Sequence, residues 1–344
     1  MAGRIKIIPA RPITQNVLFT SGKVKGFNCG GYRTAQRLTT LADFTRIKAY
    51  GANALRVFVT LTETPAASFN YVLASADETY LDSFIEFSRQ AGLYVIPVFE
   101  LDNSKGAGSN HWGNTTATSS LVAALSYLAK KYKDNKTIIA FDLMNEPVIT
   151  GVYTDLTWHA LAYQLTADIR LADPNRTVVF ETTNYADSLK FTNLMLLPFD
   201  NVVYSFHSYG PHGFTHQGVS GLPVLASSPP ATDSYPGFDD TYNPPWNTAT
   251  HSAYHNNIKT FKTTYNVPIY VGEFSVVIYA NPTARYNLLK DKLDLFNSEG
   301  WNWTYHSQGD WVGWDFRRQD VGKTGTDIAV PDSTYEKLLI EAFK

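Results

Sequence analysis

Eight short apolar runs alternate with helix-like segments along nearly the whole chain, and this alternation restricts the possible folds more than any other feature. The runs are rich in β-branched and aromatic residues and are bounded by Gly, Pro, Asn or Asp, as β-strands are. One strand, fourth in the chain, is predicted to start at Thr137 and to stop at Asn145. The others are predicted at 24–28, 54–59, 93–99, 177–181, 201–207, 268–273 and 301–306.

The segments between these runs carry helical periodicity and helix boundary signals. One predicted helix opens at Thr40-x-x-Asp43, which resembles a capping box, and stops at Gly51. Another begins at Pro282, a residue favoured at the first helical position, and runs to Gly300. The remaining helices are predicted at 80–91, 120–132, 156–172, 251–265 and 333–343, with a short helical piece before the sixth strand.

Eight strand–helix units in 344 residues predict an α/β fold, a (β/α)8 barrel. The alternative is a doubly wound open sheet, but the chain reads GFNCGGYR after its first strand and lacks GxGxxG spacing. We predict a single catalytic domain over 1–344, with an N-terminal arm at 1–22. The long segment 208–250, rich in Pro, Gly and Ser, is predicted to be a loop over the barrel mouth.

Composition excludes several classes of partner. Charged residues make up 17% of the chain and the formal net charge is −2 without a basic run, which argues against nucleic acid or a membrane surface. The lone Cys29 excludes an internal disulfide. The N-terminus has no apolar signal region, so the protein is either cytoplasmic or begins after a removed export signal. We expect a monomer without a metal or cofactor.

Each predicted strand has a polar or ionisable residue near its carboxyl end, the end at which (β/α)8 barrels carry their chemistry. Glu146 and Glu273 follow strands four and seven, which lie across the barrel from each other. Two carboxylates that face each other over a barrel mouth can act on one glycosidic bond. The alternative for each is a solvated rim residue paired with a cation. The complete set is Asn28, Arg56, Glu100, Asn145, Glu146, Glu181, His207, Glu273 and His306.

Four segments in the correct order resemble glycoside hydrolase family 5, the cellulase and mannanase family. They are LRVFV in strand two, FDLMNEP in strand four, FHSYGPHGFTHQG from strand six and IYVGEFS in strand seven. The resemblance implies a retaining hydrolase in which Glu146 is the general acid/base and Glu273 the nucleophile. It further implies supporting or substrate-binding roles for a second group of residues. In this group, Arg56 keeps Glu273 charged and Asn145 binds a sugar 2-hydroxyl. The other members are His207 and Tyr209.

Two positions depart from the family pattern. His306 stands near the end of strand eight, where many members have a Trp that stacks on the sugar, so Trp311 or Trp314 is expected to supply the platform, or His306 to bind the sugar. Glu100 stands where the family's His is expected in strand three. Three other residues are given structural roles: Trp303 in the core, Asp142 as a hydrogen-bonding residue and Glu181 as an organiser of the rim.

The expected activity is retaining hydrolysis of a β-linked glucan, with endo-β-1,4-glucanase leading and a polysaccharide or oligosaccharide as the partner. Endo-β-1,4-mannanase and an exo-acting β-glycosidase are the alternatives within the family. The alternative from another class is a non-catalytic carbohydrate-binding barrel. A metal-assisted hydrolase that uses His207, His212 and His216 is a further alternative, although loop packing is the preferred interpretation of these histidines. A secreted or periplasmic location fits polysaccharide degradation.

Overall fold

The computed structural model describes residues 16–102, 111–219, 221–222, 225, 233–238, 245–320, 328–329 and 334–344. Within these ranges, eight parallel strands form the central sheet. They are β1 Lys25–Cys29, β2 Ala54–Glu63, β3 Tyr94–Asp102, β4 Phe141–Asp142, β5 Val178–Glu181, β6 Val202–His207, β7 Ile269–Glu273 and β8 Asn302–Gln308.

The sheet closes on itself. Each strand pairs in parallel with the next, and β1 pairs with both β2 and β8. Asn28 on β1 pairs with Arg56 on β2 and with His306 on β8, which fixes the register of these three strands where the sheet closes. The predicted (β/α)8 barrel is therefore confirmed, because in an open doubly wound sheet the first and last strands would not pair with each other.

Helices surround the barrel and separate the strands. The helices between barrel strands include Leu41–Ala49, Ser75–Ala91, Thr115–Lys131, Asp155–Ala172, Thr183–Ala186, His212–Thr215, Thr248–Tyr254, Asn256–Tyr265 and Pro282–Ser298. Val17–Thr20 precedes β1, Thr334–Phe343 follows β8, and 3-10 turns span Ser188–Thr192 and Val312–Trp314. Short accessory strands are Tyr71–Leu73, which pairs antiparallel with the end of β2, and the antiparallel pair Arg318–Gln319 and Ile328–Ala329. None of the described helices is long and apolar enough to cross a membrane.

The amino-terminal end of the barrel is sealed by apolar packing. Phe19, from the short helix before β1, is buried and its ring lies 6.2 Å from that of Tyr270 on β7. Asn302 on β8 donates to the carbonyl oxygens of Phe19 and Ile269, at 2.8 and 2.9 Å. This seal directs the polar side chains of the barrel interior toward the opposite end. The rest of this cluster comprises Val24, Ala54, Ile96, Ile139, Ala140, Val179 and Val203.

Several predicted boundaries are wrong. β2 and β3 continue past their predicted ends because they remain paired there, through Thr60 with Glu100 and Thr62 with Asp102. β4 is only Phe141–Asp142, with Ile138 joined to Val95 by a single bridge. The predicted helix 251–265 is two helices that meet at His255.

The helices predicted at 80 and 120 begin earlier, at Ser75 and Thr115. Polar first turns such as SADE hide a helix start from an argument based on apolar periodicity, since acidic residues are favourable there. The predicted starts at Thr40 and Pro282 are confirmed, and Asp43 accepts the Thr40 backbone N–H at 3.2 Å.

The predicted arm and loop lie partly outside the described residues. Of the arm, 1–15 are outside, and 16–22 include the helix that carries Phe19. Of the loop, the described 208–219 reach the barrel mouth, where Tyr209 contacts Glu273. Further along the loop, Phe238 pairs with Trp246 in an isolated bridge.

Candidate active site

The Arg56 guanidinium is the centre of a buried network inside the barrel. Arg56 has no solvent exposure, and all of its N–H groups face acceptors. Such a buried cation is tolerable only when charges and hydrogen bonds compensate it. Its five bonds run from Nε to Asp142 at 2.8 Å, from Nη1 to Asn28 at 2.8 Å and Glu273 at 2.7 Å, and from Nη2 to Asn145 at 2.9 Å and Glu181 at 2.7 Å.

The position of Arg56 corrects the sequence-based expectation that it stands at a strand end. It is the third residue of the ten-residue strand β2, so it lies one layer below the mouth rather than on the rim. From this depth, the flat guanidinium reaches side chains of several strands at once, which a shorter cation at the rim could not do.

Glu273 ends β7 and its two carboxylate oxygens have different partners. Oε1 accepts from Arg56, and Oε2 accepts from the Tyr209 hydroxyl at 2.8 Å. Burial alone would raise the pKa of Glu273. The cations of His207, His306 and Arg56 and the Tyr209 hydrogen bond outweigh burial and lower the pKa below its usual range. Glu273 is therefore held as a carboxylate, with the two histidines contributing more than the arginine named by the sequence argument.

Glu146 is presented by an unusual turn of the chain. Its φ is 48°, in the left-handed region that non-glycine residues rarely occupy. The turn is fixed by the backbone N–H of Glu146, which donates to Glu181 Oε2 at 2.7 Å, and by Asn145 N–H, which donates to the Phe99 carbonyl at 2.7 Å. This geometry points the carboxyl group over the mouth, where 28% of the side chain is exposed.

The pKa of Glu146 moves in the opposite direction from that of Glu273. Burial raises it, and the negative charges of Glu273 and Glu181 add to the effect, against the lowering influence of His207. A carboxyl group with a raised pKa keeps its proton to higher pH than its partner does. This difference is what separate acid and nucleophile roles require.

His207 connects the two carboxyl groups. Its Nδ1 lies 2.7 Å from Glu146 Oε1 and 3.8 Å from Glu273 Oε2, and its Nε2 lies 3.2 Å from Glu181 Oε1. Burial alone would lower the pKa of His207, but Glu273, Glu181 and Glu146 raise it well above its ordinary value. Gly272 makes room for the ring, because a Cβ at this position would lie 2.9 Å from His207 Nε2. The pairing of β6 with β7 also shifts register here, between Phe206 and His207.

Oxygen atoms of Glu146 and Glu273 and a nitrogen of His207 all lie within 4.8 Å of one another. Carboxyl groups about 5–5.5 Å apart are typical of retaining glycosidases, whereas inverting enzymes need about 6.5–9.5 Å to admit a water molecule. One oxygen atom of Glu146 and one of Glu273 therefore lie closer together than the separation that inverting enzymes need.

The strand-eight side of the site is occupied by His306. Its Nδ1 lies 3.5 Å from Glu273 Oε2 and its Nε2 lies 3.3 Å from Asp310 Oδ2. Burial would lower the pKa of His306, but Glu273 and Asp310 raise it. Trp314 is buried and packs edge-on at 6.0 Å from His306, whereas 38% of Trp311 is exposed. Of the two tryptophans expected to form a platform, Trp311 is the one that presents a surface.

Several contributors were not assigned their full roles from the sequence. Glu181 does more than order the rim, since it accepts hydrogen bonds from Arg56 and from the backbone N–H of Glu146. The sequence feature that could have indicated this role is the position of a carboxylate at a strand end. Asp142 is a structural partner of Arg56, as expected, with burial and Glu181 raising its pKa well above the usual range. Asp310 was missed, because it follows β8 in a loop without periodicity. Glu100, also at this end, accepts from the Thr60 hydroxyl at 2.7 Å.

The three histidines considered as metal ligands do not form one group among the described contacts. His207 faces carboxylates, whereas the rings of His212 and His216 stack on each other at 4.1 Å. His216 also packs against Tyr209 and Trp314, at 4.7 and 4.9 Å. Burial lowers the pKa of His216 to about 3, so this ring is neutral and part of the loop packing.

Comparisons with known proteins identify the family and the fold of the chain. The family model described as Cellulase (glycosyl hydrolase family 5) matches residues 14–315. Endoglucanase 3 of Fibrobacter succinogenes is 29% identical over 143 residues, which are 41% of this chain and 21% of that protein. Endoglucanase C of Acetivibrio thermocellus is 27% identical over 167 residues, 43% of this chain and 47% of that protein.

The chain thus spans about a fifth and about half of the length of these two curated relatives. Among solved structures, endoglucanase Cel5A of Thermotoga maritima superposes with a TM-score of 0.72 at 21% identity, covering 94% of this chain and 98% of that one. At this identity the superposition shows a shared fold. The family model, which matches most of the chain, decides the classification: this chain belongs to glycosyl hydrolase family 5.

Proposed function

We propose that this protein hydrolyses a β-linked glucan with retention of configuration, acting as an endo-β-1,4-glucanase. The observation that carries the proposal is the pair Glu146 and Glu273, whose oxygen atoms lie within 4.8 Å of each other and whose pKa values are shifted in opposite directions. The presence of endoglucanases among its relatives favours the hypothesis that the substrate of this protein is a glucan rather than another β-linked polymer.

In the first step, a carboxylate oxygen of Glu273 bonds to the anomeric carbon and the glycosidic C–O bond breaks. Glu146 gives its proton to the departing oxygen, so the leaving sugar departs as an alcohol. In the second step, a water oxygen bonds to the anomeric carbon and the bond to Glu273 breaks. Glu146 accepts the proton of that water, which restores both residues to their starting states.

The surrounding residues support these two steps. Arg56, His207 and His306 keep Glu273 ionised before attack, and Tyr209 orients its Oε2. Asn145 Oδ1 accepts from Arg56, which leaves the amide NH2 group free to donate to a sugar 2-hydroxyl. The exposed face of Trp311 suits stacking on a sugar ring.

The proposal is tested by reducing-sugar release from carboxymethylcellulose, mixed-linkage β-glucan, glucomannan, galactomannan, xylan and laminarin. Wild type is compared with Glu146→Ala and Glu273→Ala, and with wild type containing a chelator. We expect cleavage of β-1,4-glucan that falls by orders of magnitude in both variants and is insensitive to the chelator. A faster fall in viscosity than rise in reducing ends identifies endo action.

Other outcomes would replace the proposal. A preference for galactomannan would identify a mannanase, and reducing ends without loss of viscosity would identify an exo-acting enzyme. Wild type that binds polymers without cleaving them would be a carbohydrate-binding barrel. Activity that survives in both variants would contradict the assigned residues.

A further inference from the structure

Lys292 is a buried cation outside the carboxylate network. It lies in the helix Pro282–Ser298 with no solvent exposure, and its Nζ donates to three oxygen atoms of one loop. These are the carbonyl of Ser208 at 2.8 Å, the carbonyl of Gly210 at 2.9 Å and the hydroxyl of Ser208 at 3.2 Å. Three acceptors use all three N–H groups of an ammonium ion.

The loop held by Lys292 carries Tyr209. Lys292 bonds the carbonyl groups on either side of this residue, and the Thr215 hydroxyl donates to the carbonyl of Tyr209 itself at 2.6 Å. The Ser208 N–H donates to the Glu273 carbonyl at 2.8 Å. Three consecutive carbonyl groups are thus fixed from the interior, and the Tyr209 side chain extends from this fixed backbone to Glu273.

A buried ammonium ion is a costly way to hold a loop. Burial lowers the pKa of Lys292 to about 7, and the neighbouring His251 and His255 supply no negative charge to offset it. An apolar side chain would avoid this desolvation cost but would leave the carbonyl groups of Ser208 and Gly210 without these donors. The arrangement therefore holds the loop backbone in place at the expense of burying the Lys292 amino group.

We propose that Lys292 is a positioning residue for catalysis, which fixes the 208–210 backbone so that the Tyr209 hydroxyl stays on Glu273 Oε2. The inference rests on the proposed glycosidase function, because Tyr209 matters only if Glu273 is the nucleophile. The effect of Lys292 on turnover is then transmitted through Tyr209. Dependence of the Lys292 effect on Tyr209 distinguishes a positioning role from a general contribution to folding.

The test is a double-mutant cycle with Lys292→Met and Tyr209→Phe, measured as kcat on the polymer that wild type cleaves. We expect Lys292→Met to lower kcat about tenfold in the wild-type background and less than twofold in the Tyr209→Phe background, because interacting residues are not additive. Lys290→Met, a matched change at an exposed position of the same helix, is expected to leave kcat within twofold of wild type.

The cycle is repeated with Lys292→Gln, which retains two N–H donors and keeps the test available if the Met variant does not fold. Partial recovery of kcat in Lys292→Gln, together with the same coupling to Tyr209→Phe, supports the proposal. An equal loss in both backgrounds, or kcat unchanged by either substitution, overturns it. Failure of the proposed function is distinguishable, because wild type would then be inactive or Glu273→Ala would retain activity.

Discussion

Nδ1 of His207 lies 2.7 Å from Oε1 of Glu146, so the carboxyl group with the raised pKa is held by a histidine that carries a positive charge. The same imidazolium lies 3.8 Å from Glu273 Oε2. One cation thus lowers the pKa of both carboxyl groups, and the two remain different because burial dominates at Glu146 and cations dominate at Glu273.

The first prediction concerns the pH profile of kcat/KM. Activity should fall at acid pH as Glu273 is protonated and at alkaline pH as Glu146 loses its proton. His207→Gln removes a charge that lowers both pKa values, so both limbs of the profile should move to higher pH. Rates measured from pH 3 to pH 9 check this, with His159→Gln, at a buried position on the helix Asp155–Ala172, as the control. Limbs that stay in place would show that His207 is not charged.

The second prediction concerns the stability of the Arg56 network. Arg56→Met removes the guanidinium that pairs with the buried carboxylates of Asp142, Glu181 and Glu273. Removing one partner of a buried ion pair costs about 3–5 kcal/mol of unfolding free energy. Arg56→Lys should also be destabilised, because one ammonium group cannot replace five N–H bonds in a plane.

Urea unfolding checks the stability prediction. Arg89→Met, at an ion pair in which 62% of the arginine side chain is exposed, is the control and should leave the midpoint nearly unchanged. An Arg56→Met variant as stable as wild type would mean that the carboxylates do not depend on the guanidinium for their burial.

The third prediction separates the two tryptophans near β8. Trp311→Ala should raise KM about fivefold with little change in kcat, the effect of losing about 1 kcal/mol of stacking on a sugar. Trp314→Ala should lower kcat, because buried Trp314 packs against Tyr209 and His306. Tyr163→Ala, at an exposed aromatic on the helix Asp155–Ala172, controls for general surface effects. The assignment is wrong if Trp311→Ala leaves KM unchanged.

The barrel and its strand ends could be predicted from the sequence because both follow from local patterns. Apolar runs identify parallel strands buried on both faces, and residues after such runs meet at one rim. Glu146, Glu273 and His207 lie where these patterns place them. The resemblance of strands four, six and seven to the family signatures then predicts the chemical role of each of these three residues.

The features of the site that could not be predicted from the sequence depend on the length of side chains and on tertiary contacts. Arg56 acts from near the start of β2 because an arginine side chain reaches across to other strands, which strand periodicity does not describe. Asp310 reaches His306 from an irregular loop. Lys292 did leave a signal, since it falls on the apolar face of its helix between Leu288, Leu289 and Phe296, but a lysine there is readable as a solvated boundary residue.

The assignment of Glu146 as acid/base and Glu273 as nucleophile is tested most directly by azide rescue of the Glu146→Ala and Glu273→Ala variants. The substrate is a 2,4-dinitrophenyl β-glycoside of the sugar that the polymer panel identifies, whose leaving group needs no proton from Glu146. In Glu146→Ala, azide should displace Glu273 from the glycosyl-enzyme, and the second inversion gives the β-glycosyl azide. In Glu273→Ala, azide should attack the substrate itself, and the single inversion gives the α-glycosyl azide. Proton NMR of the anomeric centre distinguishes the two products. The reversed pair of anomers, or the same anomer from both variants, would contradict the assignment.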